Sequence, residues 1–295
     1  MHNFLKTIGF SNLRTRQETE QLLNFAAKTS EKCLQTKLEN GVTFAEIYMD
    51  VAEGIGIALR GDVDTNGIFR MEHYFPYFIG KTISMEESVF FSKKVDSEAY
   101  TGMSEDRRVG VSMIFFLQNA VDFLVNGKPD SEETRVVSLA ALASSGKVLL
   151  PTVSMQTASV KEAVNSSGRA ELMEAAKKGD KEAIETLTID DIDLYEKITR
   201  RLKNEDIFSI VETSFVPYGS ESDNYTVLGI IDSVEAVTNK ITGEKLYVMD
   251  IRCNDIPFPV CINASDLLGE PKPGRRFRGN VWMQGHVDFS AERKA

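Results

Sequence analysis

Apolar and polar residues alternate almost without a fault from Gly274 to Phe289. One side of this alternation carries the apolar residues Phe277, Val281, Met283, Val287 and Phe289, with Gly279 and Gly285 between them. The other side carries the residues Arg276, Arg278, Asn280, Trp282, Gln284 and His286. A period of two residues predicts a half-buried strand, or two strands that turn near Gly285.

Three segments before this one are also predicted to be strands, at residues 227–237, 246–253 and 256–262. Residues 239–244 form a hairpin loop between the first two, with Gly243 free to take a positive φ. The third segment carries two prolines, which cannot donate to a ladder, so we expect an edge strand there. A short helical turn follows at residues 265–268. This order resembles a small OB-type barrel, with an SH3-like barrel or a plain meander as alternatives.

The first half of the chain shows a mixed pattern. Residues 16–38 carry apolar positions on one side and predict a helix. Residues 44–125 fit mostly strands, among them an aromatic-rich run at 67–78. Residues 132–146 favour a strand over a helix, and residues 147–152 are expected to pair back on it as a hairpin. Because the connections are short, antiparallel pairing is favoured, and we predict an α+β domain with an antiparallel sheet.

The pattern changes again in the middle of the chain. Residues 160–202 have the spacing of short helices, and the turn-forming residues of Pro217–Asn224 mark the clearest boundary. A chain of 295 residues exceeds one typical core. We therefore predict an α+β fold in four parts, with an α+β domain at 1–155, a helical bridge at 156–205, a linker at 206–224 and the OB-like barrel at 225–295.

Composition narrows the class of protein. Hydrophobic residues at 42% and charged residues at 26% are ordinary for a globular chain. No long uncharged apolar run is present and the N-terminus has no signal-peptide core, so we expect a cytoplasmic protein without a membrane segment. Three cysteines without a close pair (Cys33, Cys253 and Cys261) favour free thiols in a reducing compartment and make a zinc site improbable.

No motif for catalysis, a cofactor or a metal stands out. Residues 62–67 match the first half of a calcium loop, but the closing glutamate is replaced by His73, which favours a polar hairpin turn. No serine lies in a nucleophile elbow. We therefore expect no cofactor and no metal. An enzyme with a site near His73 and Tyr74, in the aromatic-rich run, is kept as an alternative.

The polar side of the last strand carries the leading functional hypothesis. Arginines beside the only tryptophan, Trp282, are typical of surfaces that bind a protein partner or stack bases. The competing interpretation is that another part of the chain covers Trp282. A net charge of −10 disfavours nucleic acid, although Arg275, Arg276 and Arg278 form a local basic strip. We expect a non-enzymatic binding or scaffolding protein, with single-stranded nucleic-acid binding as an alternative.

Four stretches resemble one known family, namely Phe4–Ser11, Phe75–Phe78, Gly110–Asn119 and Asp266–Gly285. That family is an uncharacterised group of bacterial cytoplasmic proteins, a domain of unknown function. The resemblance extends over the full length of the chain. It supplies no activity, ligand or catalytic residue.

Overall fold

The structure, a computed structural model, describes residues 4–30, 32–93, 98–105, 112–127, 134–151, 212–220 and 222–289. Its chain divides into two compact units. The first unit comprises Met1–Leu149 together with Thr213–Ala295, and the second comprises Leu150–Glu212. The predicted helical bridge at 156–205 lies outside the described residues.

The first half of the large unit contains a four-stranded antiparallel sheet and, among its described residues, two α-helices. Helix α1 (Arg16–Thr29) begins with a capping box, in which Thr15 and Glu18 satisfy each other's backbone N–H groups. Helix α2 spans Ala120–Asn126. The strands follow chain order across the sheet and are β1 (Lys32–Lys37), β2 (Thr43–Ala52), β3 (Ile55–Val63) and β4 (Phe69–Phe78).

An eleven-stranded mixed sheet contains the remaining described strands. Those from the first half of the chain are β5 (Met85–Ser88), β6 (Phe90–Lys93), β7 (Tyr100–Ser104), β8 (Met113–Leu117) and β9 (Thr134–Leu149). The later ones are β10 (Ser214–Pro217), β11 (Asn224–Thr238), β12 (Lys245–Cys253), β13 (Ile256–Asn263), β14 (Leu267–Leu268) and β15 (Arg276–Val287). Two short 3-10 helices, Lys6–Ile8 and Ala264–Asp266, complete the elements.

Five of these strands pair in a closed ring, which we call the strand ring. Around it, β11 pairs with β12, β12 with β13, β13 with β9, β9 with β15, and β15 again with β11. The β13–β9 pair is parallel and the other four pairs are antiparallel. The inward positions of β15 are the apolar ones predicted from its alternation, which is thereby confirmed, and they are Phe277, Val281, Met283 and Val287.

Several predicted elements differ in detail. The helix expected over 16–38 ends at Thr29, because residues 32–37 pair with β2 as a strand instead. The hairpin expected at 147–152 does not form, because β9 runs unbroken to Leu149 along β15. The last strand likewise passes through Gly285 without turning.

Strand β13 is not the edge strand that its prolines predict. It pairs with β12 on one side and with β9 on the other. The pairing with β9 is confined to residues 260–262, beyond Pro257 and Pro259. The two prolines therefore lie outside the ladder with β9, so β13 pairs on both sides without needing their missing N–H groups there.

The predicted division between a domain at 1–155 and a barrel at 225–295 does not follow the strand pairing. Strand β9, from the first segment, lies between β13 and β15 of the second. The described residues of both segments therefore belong to one compact unit with shared sheet hydrogen bonds. The mixed α+β character that we predicted is present, with strands dominating. The assignment of the strand ring to the OB type stays a prediction.

Two apolar cores stabilise this unit. The first lies inside the strand ring and continues along β7, β8 and α2. The second lies between the outer surface of the strand ring and the four-stranded sheet, and includes Leu142, Cys261 and Trp282 from the strand ring. Residues 4–10, which we call the N-terminal segment, contribute Leu5 and Ile8 to this second core. The outer surface of the strand ring is therefore partly an internal surface of the protein.

Candidate functional site

The predicted binding strip on β15 lies largely in that second core. The side chain of Trp282 is only 5% exposed. Its Nε1–H group donates to Asp223 Oδ2 at 3.0 Å, and its ring lies 5.4 Å from that of Phe4 and 5.1 Å from that of Phe116. This arrangement agrees with the competing interpretation, in which another part of the chain covers Trp282.

The other residues of the strip are also engaged within the molecule. Gln284 is fully buried; it accepts from the Phe78 N–H group at 3.2 Å and donates to the Pro76 carbonyl at 2.8 Å. Arg276 is buried, whereas Arg278, Asn280 and His286 are half-buried. Asn280 Oδ1 accepts from Thr226 at 2.8 Å. A partner would have to displace the N-terminal segment to reach Trp282, and the binding role of the strip stays a prediction.

A fully buried ion pair lies next to this interface. Arg60 Nε donates to Glu46 Oε1 at 2.6 Å, and neither side chain is exposed. The Arg60 guanidinium also donates to the carbonyls of Leu117 and Gln118 at 3.0 and 2.7 Å, and it lies over the ring of Phe75. This network joins the four-stranded sheet to the end of β8. With no exposed face, it stabilises the contact between sheets rather than receiving a ligand.

One open site among the described residues is a cleft between the four-stranded sheet and the strand ring, which we call the sheet–ring cleft. It consists of two adjoining cavities of about 490 and 580 Å³. Both cavities are lined by Asp50, Ile79 and Lys240, so these residues mark their junction. The Lys240 N–H group donates to the Val51 carbonyl at 2.8 Å and fixes the hairpin loop against β2.

A tyrosine–aspartate pair lies in the wall of the smaller cavity. The Tyr77 hydroxyl donates to Asp50. Burial, together with the neighbouring Asp50 carboxylate, raises the pKa of Tyr77 well above its ordinary value, so the hydroxyl stays a donor at neutral pH. Gly56 makes the space for it, because a Cβ there would lie 2.7 Å from the Tyr77 hydroxyl oxygen and 2.1 Å from the Met49 carbonyl oxygen.

The larger cavity has charged walls from both sides of the cleft. Glu53 and Lys81 form an ion pair on the side of the four-stranded sheet. Glu235 of β11 and Asp250 of β12 face them from the strand ring. The pKa of Lys81 is raised, chiefly by its hydrogen bond to Glu53 and the attraction of that carboxylate, with a smaller contribution from Glu235. Glu235 in the wall of the strand ring is therefore close enough to attract Lys81 in the opposite wall.

These cleft residues carry no signal that a pattern in the sequence would reveal. The cleft joins residues 50–55 and 78–82 to residues 235–259, and no local motif signals that contact. Within the ranges that the structure describes, no group of three or more His, Cys, Asp and Glu residues is placed to hold a metal ion. None of the described helices has both the length and the apolar character needed to cross a membrane.

Comparison with known proteins gives the family without an activity. The model of the family described as "Domain of unknown function, E. rectale Gene description (DUF3881)" matches residues 5–285. The chain therefore belongs to this family, and the resemblance noted from the sequence is confirmed. No curated protein and no solved structure matches the chain.

Proposed function

We propose that this protein is a non-enzymatic binding protein and that its ligand lies in the sheet–ring cleft. The observation that supports this most is the cleft itself, whose two cavities combine charged groups with apolar walls. Small-molecule sites in proteins usually have this concave form and a volume of about 300 to 1,000 Å³. The polar strip on β15, which we first considered for this role, has its tryptophan covered by the protein's own chain.

We further propose that the strand ring is an OB-type barrel whose last strand comes from an earlier part of the chain. Its order, β11–β12–β13–β9–β15–β11, has three meandering strands, one parallel pair and a long first strand shared by two partners. In OB barrels, ligands bind on the face of the second and third strands and beside the loop between the first two. Here that face belongs to β12 and β13, and the loop contains Lys240.

The charge of this face favours one class of ligand over another. Asp250 is exposed on it, Glu235 is exposed beside it on β11, and the chain carries a net charge of −10. Carboxylates repel the phosphates that single-stranded nucleic acid would place there. Binding of a small polar molecule is therefore better supported than the nucleic-acid alternative.

The test is retention of small molecules by a protein whose cleft has been filled. Glu235 is exposed, lines the larger cavity and lies on the same face of β11 as Val237, so Glu235→Trp places a large ring in the cavity. Purified protein would be equilibrated by dialysis against a mixture of amino acids, short peptides, nucleotides and sugar phosphates. Compounds retained by the protein are then identified by mass spectrometry. We expect retention by the unmodified protein and its loss in Glu235→Trp.

The matched control is Ala236→Trp, the next residue on the same strand, whose side chain points to the opposite face. Ala236 is exposed and does not line either cavity of the cleft. This variant should retain the same compounds as the unmodified protein. Equal retention by Glu235→Trp would move the site elsewhere, and retention of no compound from the mixture would contradict the proposed function.

A further inference from the structure

We propose that the ligand of the sheet–ring cleft is a zwitterion of the size of a short peptide. Its carboxylate would lie toward Lys32 and Lys240, and its ammonium group toward Glu235 and Asp250. This inference rests on the proposed function and adds the chemical class and the orientation of the ligand.

The argument begins with the charges that remain after internal pairing. In the smaller cavity, the Asp50 carboxylate accepts from Tyr77. Lys32 lies 5.0 Å from the centre of the Tyr48 ring. Among the residues that the structure describes, neither Lys32 nor Lys240 has an ion-pair partner. With the Asp50 carboxylate beside them, these two lysines give this part of the cleft a net positive charge.

The larger cavity has the opposite balance. Lys81 is paired with Glu53. Asp250 accepts a hydrogen bond from Ser233 at 2.6 Å, and neither it nor Glu235 forms an ion pair with a described residue. Two carboxylates are thus available at this end. Lys32 lines the smaller cavity alone and Lys240 the junction, whereas Glu235 and Asp250 line only the larger cavity. A cleft with this order of charges is complementary to a molecule that carries the two charges in the reverse order.

The surfaces between the charged ends suit the body of such a molecule. Ile79 lies at the junction of the two cavities, with Ile241 on one side and Val248 on the other. The ring of Tyr77 packs edge-on against Tyr48 at 5.4 Å. These groups offer apolar contact to aliphatic side chains. The volumes of the cavities accommodate a few residues, and a folded partner would not fit between the walls.

The experiment measures the affinity of trialanine and of its two capped forms by isothermal titration calorimetry. N-acetylation removes the ammonium charge and C-amidation removes the carboxylate charge. We expect each cap to weaken binding by about tenfold to a hundredfold, which is the usual size of a lost charge-assisted hydrogen bond. Both ends would then contribute to recognition.

Two variants assign the ends of the ligand. In Glu235→Gln, N-acetylation should have little further effect, whereas C-amidation should still weaken binding. In Lys240→Gln the pattern should reverse, because the backbone N–H group that holds the loop is unchanged. Glu86→Gln, an exposed glutamate on β5 outside the cleft, is the control and should behave as the unmodified protein.

The outcomes separate this inference from the proposed function. If nucleotides or sugar phosphates bind in the cleft and trialanine does not, the zwitterion is wrong while the binding function stands. If both caps leave the affinity unchanged, or if both variants respond alike to each cap, the orientation is wrong. If no compound of any class is retained, the proposed function itself is contradicted.

Discussion

The outer surface of the strand ring has a covered half and an open half, and one row of neighbouring residues crosses both. Successive strands place Glu235 beside Val248, then Cys261, Leu142 and Trp282. Exposure falls along this row, from an exposed Glu235 through a half-buried Val248 to three buried residues. The outer surface of the strand ring is therefore exposed to solvent at the Glu235 end of this row and forms part of the second core at the Trp282 end.

The difference between the halves comes from the N-terminal segment and the loops that hold it. Asn239 donates to the Ile8 carbonyl at 2.7 Å, Thr242 to the Gly9 carbonyl at 2.7 Å, and Asn263 to the Lys6 carbonyl at 3.0 Å. Side chains from the strand ring thus satisfy backbone groups of a segment that has little regular structure of its own. The outer surface of the strand ring is available for ligands only where this segment and the four-stranded sheet leave it uncovered.

The largest effect that tests this comparison is expected from Trp282→Ala. The substitution removes a ring packed between Phe4 and Phe116 and leaves Asp223 without its indole donor. We expect the free energy of unfolding to fall by about 3–5 kcal/mol, as for large-to-small changes in cores. Urea denaturation followed by circular dichroism measures it, because the variant has lost its only tryptophan.

Tyr218→Ala is the control for this prediction. Tyr218 is 51% exposed, so loss of its ring should change the free energy of unfolding by no more than about 0.5 kcal/mol. A loss below about 1 kcal/mol in Trp282→Ala would mean that the N-terminal segment does not cover the face in solution. The strip of Arg276, Arg278 and Trp282 would then return as the favoured binding surface.

A smaller effect is expected from the pH dependence of stability at His286, on the covered side of β15. Burial lowers its pKa from the ordinary 6.5, with a smaller contribution from Lys32 and against the opposing effect of the carboxylates of Asp122, Asp288 and Glu46. The unfolded chain therefore takes up a proton at His286 at a higher pH than the folded protein does. Stability contributed by the neutral imidazole is present above pH 6.5 and is lost as the pH falls through the window below it.

The measurement is urea denaturation at pH 7.5 and pH 5.0 for the unmodified protein and for His286→Gln. We expect the unmodified protein to lose more stability between these two pH values than the variant does. An equal loss in both proteins would show that His286 is solvated in solution. It would also indicate that the covered half ends before this residue.

Local patterns in the sequence predicted much of the strand ring. The alternation along β15, the hairpin loop with Gly243 at a φ of 76°, and the short helical turn after β13 are all present. Each of these signals lies within about a dozen residues, where period and turn chemistry determine the structure. The alternation also placed Trp282 among the polar residues of the last strand. It could not show that residues distant in the chain cover this tryptophan.

What the sequence could not provide depends on long-range pairing. Strand β9 pairs with β15 in the strand ring although it lies more than a hundred residues earlier in the sequence. Its apolar composition would equally suit a strand of a separate domain. The sheet–ring cleft could not be predicted for the same reason. Its residues Asp50 and Asp250 are distant in the sequence and belong to no shared motif. A carboxylate that binds a ligand and one that is merely solvated look alike until their neighbours are known.

The smallest effect concerns the open half, where Glu235→Gln and Asp250→Asn should leave stability almost unchanged. Both residues are exposed, and neither forms an ion pair within the described part of the chain. They line the same cavity, so removing one charge relieves a weak repulsion between them. We expect changes in the free energy of unfolding within about 0.5 kcal/mol, measured by urea denaturation under the conditions used for Trp282→Ala. A loss above about 1 kcal/mol would show that these carboxylates hold the cleft walls together. Stability near that of the unmodified protein would mean that these two carboxylates change the free energy of the protein only when a ligand is bound.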